Sequence, residues 1–234
     1  MSQTDNDALL NALYPFMASD TPAKPVDKTA ALQEAVAQKV SQSQAVKTRF
    51  FADNSDKLIA IAKLIATSYQ QGGRLLTAGN GGSACDAGHL ALEFMHPVTA
   101  GRPALPAINL SQDNGLMSAV ANDVGFEHVL VRQLLALGSS KDTLVVFSTS
   151  GNSANISAAC RKAKALGMSV AAFSGMDGGE LKAQTLTDQC LVVETDSVHR
   201  IQECHLVAYH VLWDLVHTLL AESRGSMASA NTSQ

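Results

Sequence analysis

Five short apolar runs, separated by longer stretches of helical character, constrain the fold of this chain more than any other feature. The runs are LLTAG (75–79), ALPAINL (104–110), TLVVFS (143–148), SVAAFS (169–174) and CLVVET (190–195). The helical stretches are 84–96, 114–137, 152–166 and 178–186, with longer ones at 29–71 and 198–222 flanking the set. Strands buried on both faces read as continuous apolar runs, and strand–helix alternation is typical of a parallel sheet. We therefore predict an α/β fold: a doubly wound, three-layer sandwich around a central five-stranded parallel sheet.

The length and composition favour one domain with a large core. The chain has 234 residues, of which 46% are hydrophobic and 16% are charged, whereas about 25% charged residues is usual. This composition excludes disorder for the bulk of the chain and leaves apolar surface for an oligomer. The polar ends predict a flexible N-terminal extension at 1–28 and a disordered tail at 223–234, so the domain itself is expected at 29–222.

Charge and cysteine usage exclude several classes of partner. The 17 basic and 21 acidic residues give a net charge of −4, which does not support a nucleic-acid-binding face. No run reaches the roughly 18 apolar residues of a membrane helix, and the N-terminus does not resemble a signal peptide. The four cysteines have no C-x-x-C spacing, so we expect free thiols and a cytoplasmic location, without a membrane or nucleic-acid partner.

A glycine-rich loop follows the first apolar run and leads into a helix. In open α/β sheets, ligands bind at the carboxyl ends of the strands near helix N-termini. Glycines let the backbone approach an anion, although a simple tight turn explains the loop equally well. The pattern is neither a dinucleotide fingerprint nor a Walker loop. The candidate binding residues here are Asn80, Gly81, Gly82 and Ser83.

A second loop, after the third apolar run, is rich in neutral hydrogen-bond donors. Hydroxyl and amide groups at a helix N-terminus suit a phosphate monoester, because the helix dipole and hydrogen bonds hold the dianion without a lysine. An ordinary polar loop is the alternative interpretation. The candidate phosphate-binding residues are Ser148, Thr149, Ser150, Asn152 and Ser153.

His89 and Glu93 are spaced i and i+4 on the helix after the glycine loop, so they share one face. Such pairs are common on solvated helices, but this helix is otherwise largely apolar. Histidine nitrogen and carboxylate oxygen are suitable zinc ligands, and burying an unpaired glutamate is costly. The pair therefore indicates a site.

Several motifs together resemble the sugar isomerase (SIS) domain and, within it, the phosphoheptose isomerases. They are GNGGSACDAGHLALEF, STSGNSANI, GGEL and RIQECHLVAYH, and the similarity runs from about residue 30 to 222. The resemblance implies the SIS fold and an aldose–ketose isomerase that converts sedoheptulose 7-phosphate to D-glycero-D-manno-heptose 7-phosphate through an enediol, in bacterial heptose synthesis. It also implies a homotetramer with its sites near subunit interfaces.

The resemblance further assigns roles to individual residues. It implies one zinc ion held by His89, Glu93, Gln202 and His210, with Glu93 and His210 as the catalytic base and acid. Gln202 and His210 are eight residues apart, about 12 Å of helix rise, so either their side chains converge or neighbouring subunits contribute. The sugar pocket is implied to include Gln202, Asp113, Asn122 and Asp123; an Asx turn and a helix cap explain the last three equally well.

Two alternative functions remain open from the sequence. The SIS family includes a non-catalytic regulator that binds a replication initiator protein, and isomerases or sensors for other sugar phosphates. The regulator lacks the glutamate and the second histidine of the zinc set, so Glu93 and His210 favour an enzyme. The apolar residues of 198–222 wrap most of its circumference, which predicts a helix buried nearly all round and supports an oligomer.

Overall fold

The computed structural model of the chain describes residues 28–231, with side chains described as far as Ala221. The predicted flexible extension therefore lies almost entirely outside the described residues. Contacts between Cα atoms divide the chain into two units, 1–40 and 41–234. The described part of the first unit is the beginning of a long helix.

Five strands alternate with helices along the described chain. The helices are α1 (Thr29–Gln70), α2 (Gly82–Met95), α3 (Asn114–Val124), α4 (Val129–Leu137), α5 (Ala154–Ala165), α6 (Gly179–Ala183) and α7 (Val198–Asn231). The strands are β1 (Leu75–Gly79), β2 (Ala107–Asn109), β3 (Thr143–Ser148), β4 (Ser169–Gly175) and β5 (Gln189–Val193), and a 3₁₀ turn (Phe126–His128) precedes α4.

The five strands form one parallel sheet in the order β2-β1-β3-β4-β5. In this register Leu75 lies beside both Ala107 and Thr143, and Thr143 lies beside Ser169. All the strands therefore end at the same edge of the sheet. The predicted α/β fold with a five-stranded parallel sheet is confirmed.

Each face of the sheet carries its own apolar cluster, which explains why the strands read as unbroken apolar runs. Leu75, Val145 and Phe173 pack on one face with the buried residues of α1, α2 and α7. Leu76 and Val146 point to the opposite face, where they pack with residues of α4 and α5. Alternate residues of a strand face opposite sides of a sheet, so both halves of each run must be apolar.

Three boundaries differ from the prediction. The helix predicted at 114–137 is divided, because Gly125 adopts a φ of 105° that an ordinary helix does not allow. The second strand is limited to Ala107–Asn109 within the predicted run 104–110. The last helix is assigned as far as Asn231 and not only to 222, and the disordered tail at 223–234 stays a prediction.

The last helix is apolar, but only part of its surface is buried within one chain. Among the described residues, Val198–Ala221 is long and apolar enough to cross a membrane by length and composition alone. Its buried residues, such as Ile201 and Leu212, belong to the core beside the sheet, which is the ordinary behaviour of a core helix. Leu206 and Val211 are about 40% and 39% exposed. The single chain therefore does not bury this helix all round, and its burial in an oligomer stays a prediction.

Candidate active site

The glycine loop and the start of α2 are fixed to the ends of the neighbouring strands. The Ser111 hydroxyl donates to the Gly79 carbonyl oxygen at 2.8 Å and accepts from the Gly79 N–H at 3.0 Å. Thr77, buried in β1, donates its hydroxyl to the carbonyl oxygen of Ala87 at 2.8 Å. These bonds set the direction in which α2 leaves the sheet, and so they position the side chains on its polar face.

Three side chains from two helices converge to form a possible metal site. His89 and Glu93 of α2 and His210 of α7 each offer a ligand atom, and these atoms all lie within 4.8 Å of one another. The His89 Nε2 and Glu93 Oε1 atoms are 3.1 Å apart. Two ligands bound tetrahedrally to zinc at 2.0–2.1 Å would be about 3.3 Å apart. The donor set therefore fits a divalent metal ion with little rearrangement of the α2 pair.

Two aromatic residues of α7 contact the α2 pair, and the sequence did not reveal either of them. The Tyr209 hydroxyl lies 2.7 Å from His89 Nδ1, and Trp213 Nε1 donates to the Glu93 carbonyl oxygen at 2.8 Å. Arg102 stacks over the Trp213 ring at 4.5 Å and pairs with Asp214. In the sequence, Tyr209 and Trp213 cannot be distinguished from the other apolar residues of the helix.

A cleft of about 280 Å³ contains Asp86 of α2 and Gln202 of α7, the fourth predicted metal ligand. A Cβ atom at position 82 would lie only 2.4 Å from Gln202 Nε2, so the predicted ligand Gln202 packs directly on the glycine loop. The structure thus places Gln202 beside Gly82 and His210 beside His89. The cleft is lined by Asp86, His199, Gln202, Glu203 and Leu206.

Asp86 is a candidate residue that the sequence reasoning missed. Burial raises its pKa to about 6, and the neighbouring His89 partly opposes this rise. Its Oδ2 atom is buried without a hydrogen-bond partner among the described residues. The signal was available in the sequence, because Asp86, His89 and Glu93 are spaced i, i+3 and i+7 and so share one face of α2.

The serine-rich loop follows β3. Some of its polar groups hydrogen-bond to the protein and fix the shape of the loop, and others are exposed to solvent. Ser148 is buried, and its Oγ accepts from the Gly151 N–H at 3.2 Å. Asn152 Oδ1 accepts from the Glu180 N–H at 2.9 Å, which ties the loop to α6. Among the predicted phosphate ligands of this loop, Asn152 is exposed and Thr149, Ser150 and Ser153 are partly exposed.

The two predicted phosphate-binding loops are joined by a pair of amides. Asn80 Nδ2 donates to Asn155 Oδ1 at 2.9 Å, and Asn155 Nδ2 donates back to Asn80 Oδ1 at 2.8 Å. Asn155 lies in the first turn of α5 and is almost fully buried. The pair therefore joins the glycine loop to the first turn of the helix that follows the serine-rich loop.

The three remaining candidates make local contacts in the described structure. Asp113 caps α3, because its Oδ1 accepts from the Leu116 N–H at 2.9 Å. Asn122 and Asp123 are exposed, and their side chains hydrogen-bond to each other at 2.9 Å. The Asp113 contact matches the helix-cap interpretation, and a role of the three residues in a sugar pocket stays a prediction.

Comparisons of the sequence and the fold with known proteins identify relatives of this chain. The SIS domain family matches residues 40–175. The phosphoheptose isomerase of Chlorobaculum tepidum is 42% identical over 191 residues, covering 80% of this chain and 90% of that protein. The one from Burkholderia pseudomallei is 42% identical over 181 residues, covering 76% and 90%. The structure of phosphoheptose isomerase from Neisseria gonorrhoeae superimposes with a TM-score of 0.75 at 36% identity, covering 80% of this chain and 99% of that one.

Sheet order, loop positions and sequence similarity together define the class of protein. The chain belongs to the SIS domain family. Within that family it is a member of the phosphoheptose isomerases, because it is 42% identical to relatives of which it covers 90%. The resemblance inferred from the sequence motifs is confirmed.

Proposed function

We propose that this chain isomerises sedoheptulose 7-phosphate to D-glycero-D-manno-heptose 7-phosphate in bacterial heptose synthesis. The convergence of His89, Glu93 and His210 beside two linked phosphate-binding loops is the observation that carries the proposal. Its membership among the phosphoheptose isomerases supports isomerisation of a heptose phosphate.

The reaction needs one group that removes the proton from C1 and one that returns a proton at C2. Glu93 is suited to be the base, because its carboxylate is mostly shielded from water, with 18% of the side chain exposed. His210, on the opposite helix, is suited to be the acid that protonates the enediol. A zinc ion held by His89, Glu93 and His210, with Gln202 as a further ligand, would supply polarisation of the sugar's oxygen atoms.

The phosphate group would bind where the two loops meet. Partly exposed hydroxyls of Thr149, Ser150 and Ser153 precede or begin α5, whose N-terminus carries unpaired N–H groups and a partial positive charge. Asn80, Gly81 and Ser83 border this surface from the glycine loop. Holding the substrate by its phosphate would place the other end of the sugar toward α2 and the acid–base pair.

The assembly we propose is a homotetramer in the cytoplasm. Apolar side chains remain exposed on the single chain, among them Val124, Phe126, Leu135 and Val211. Val211 is next to His210, so association through this face would bring a second subunit close to the site. The four cysteines are free thiols, as expected for a reducing compartment.

The proposed activity is tested by measuring conversion of sedoheptulose 7-phosphate by wild type and by the Glu93→Gln variant. Glu127→Gln is a matched control, because Glu127 also lies beside a histidine, with 3.7 Å between Glu127 Oε1 and His128 Nε2, but both side chains are about half exposed. We expect Glu93→Gln to lose at least 100-fold in kcat. Glu127→Gln should retain wild-type turnover.

Metal dependence is tested separately by treating the wild type with a chelator and then restoring zinc. Loss and recovery of turnover would support the metal site. Turnover that survives complete metal removal would contradict it while leaving the isomerase assignment intact. No turnover of the heptulose phosphate by zinc-loaded wild type would contradict the assignment, and other sugar phosphates or a non-catalytic regulatory role would then be preferred.

A further inference from the structure

Tyr209 is placed so that its hydroxyl controls the orientation of His89. The Tyr209 side chain is almost fully buried, and its oxygen lies 2.7 Å from His89 Nδ1. The opposite ring nitrogen, Nε2, faces Glu93 Oε1 at 3.1 Å. Both nitrogens of the ring are therefore engaged, and rotation of the imidazole would break two hydrogen bonds at once.

We infer that Tyr209 is a positioning residue that holds His89 with Nε2 directed toward Glu93 and His210, which makes Nε2 the metal-binding atom. The inference rests on the proposed metal site. A metal-binding histidine usually donates its second ring N–H to a fixed partner, which sets the tautomer and the ring plane. Tyr209 is the partner that the structure provides at Nδ1.

The Tyr209 hydroxyl can hydrogen-bond to His89 Nδ1 whether or not a metal is bound. With no metal, Nε2–H can donate to the Glu93 carboxylate, and Nδ1 then accepts from the tyrosine O–H. With a metal on Nε2, the ring proton must lie on Nδ1, and the tyrosine oxygen accepts it.

The placement of Tyr209 itself follows from the packing of α7 on α2. The Tyr209 ring packs edge-on against the rings of His89 and Phe147, with centroid separations of 5.3 Å and 6.0 Å. One turn later on the same helix, Trp213 donates to the Glu93 carbonyl oxygen. Two successive turns of α7 thus contact the two α2 residues of the metal group, so the hydroxyl is held by rigid elements.

The test compares zinc affinity in wild type, Tyr209→Phe and Tyr69→Phe, using full-length metal-free protein and a competing chromogenic chelator. Tyr69 is a matched control, because its hydroxyl is buried without a partner among the described residues and its ring packs on Phe94 of the same helix α2. We expect Tyr209→Phe to weaken zinc binding by about 10- to 100-fold. The zinc affinity of Tyr69→Phe should stay within about twofold of wild type. If Tyr209 served only the packing of the fold, the two variants would bind zinc about equally well.

A second measurement locates the His89 proton directly. Long-range ¹H–¹⁵N NMR of the zinc-loaded protein, with His89→Gln to assign the signals, should show the His89 proton on Nδ1. Zinc bound through Nδ1, or equal zinc affinity in Tyr209→Phe and wild type, would overturn the inference. If the wild type binds no zinc, the metal site and this inference fail together, whereas the turnover of Glu93→Gln still judges the proposed activity independently.

Discussion

Gly82 shows how one backbone position controls a polar side chain of the site. A methyl group there would lie 2.4 Å from Gln202 Nε2, the flexible end of a side chain. We expect Gly82→Ala to displace Gln202 and lower kcat about 10-fold, with little loss of stability because alanine favours the first turn of α2.

A double-mutant cycle checks this prediction. In a Gln202→Ala background, Gly82→Ala should have almost no further effect on kcat, because the side chain that it displaces is already gone. Additive losses in the double variant would show that Gly82 acts on the site by another route.

His205 makes the stability of the fold depend on pH. Its ring is fully buried, its Nε2–H donates to the Ser174 carbonyl oxygen at 3.1 Å, and burial lowers its pKa from 6.5 to about 4. Between pH 6.5 and 4 the unfolded chain binds a proton that the folded chain does not, so the free energy of unfolding falls as the pH is lowered. The loss approaches about 3 kcal/mol at pH 4.

Urea denaturation of wild type and His205→Gln at pH 7, 6 and 5 measures this effect. The wild type should lose more stability than the variant over that interval, because glutamine can donate to Ser174 but does not titrate. Equal losses in the two proteins would mean that His205 takes up its proton in the folded state as readily as in the unfolded one.

The individual residues of the site show what the sequence could and could not predict. The i,i+4 spacing of His89 and Glu93 indicated a site directly, and family resemblance added His210, which the structure places within reach of both. Tyr209 and Trp213 were missed because their hydrogen bonds join two helices 120 residues apart in sequence. No periodic pattern within one helix contains that information.

At the scale of elements, the amide pair between Asn80 and Asn155 links the two phosphate-binding loops. Asn155→Ala would leave the Asn80 amide without its partner and free the glycine loop to move. We expect KM for the sugar phosphate to rise several-fold and the free energy of unfolding to fall by about 2 kcal/mol.

Asn54→Ala is a matched control for this prediction. Asn54 is also a buried asparagine, and its Nδ2 donates to the Phe50 carbonyl oxygen at 3.0 Å within α1. Its removal should reduce stability without changing KM. A similar rise of KM in both variants would show that KM responds to general loosening of the fold rather than to the paired loops.

The elements themselves were largely predictable because burial on both faces requires apolar residues at every strand position. The exceptions have local causes. Gly125, with a φ of 105°, divides a stretch whose periodicity reads as one helix. Strand β2 at the sheet edge pairs over only three residues, Ala107–Asn109, although its apolar run is longer. The sequence carries the apolar pattern but not the point at which strand pairing stops.

At the scale of the whole molecule, the exposed apolar residues predict association. Light scattering should give a mass of about 98 kDa for four copies of the 24.5 kDa chain. Val211→Asp should shift the protein to smaller species, because a charge would replace an apolar side chain that is 39% exposed in the single chain. A monomeric wild type at micromolar concentration would contradict the proposed assembly.

The proposed reaction interconverts a ketose phosphate and an aldose phosphate through proton transfer. The most direct measurement is NMR of zinc-loaded wild type with sedoheptulose 7-phosphate in D₂O. We expect heptose 7-phosphate to appear, carrying solvent deuterium at C2 because the enediol is reprotonated there. An unchanged ketose spectrum after long incubation with the zinc-loaded enzyme would contradict it.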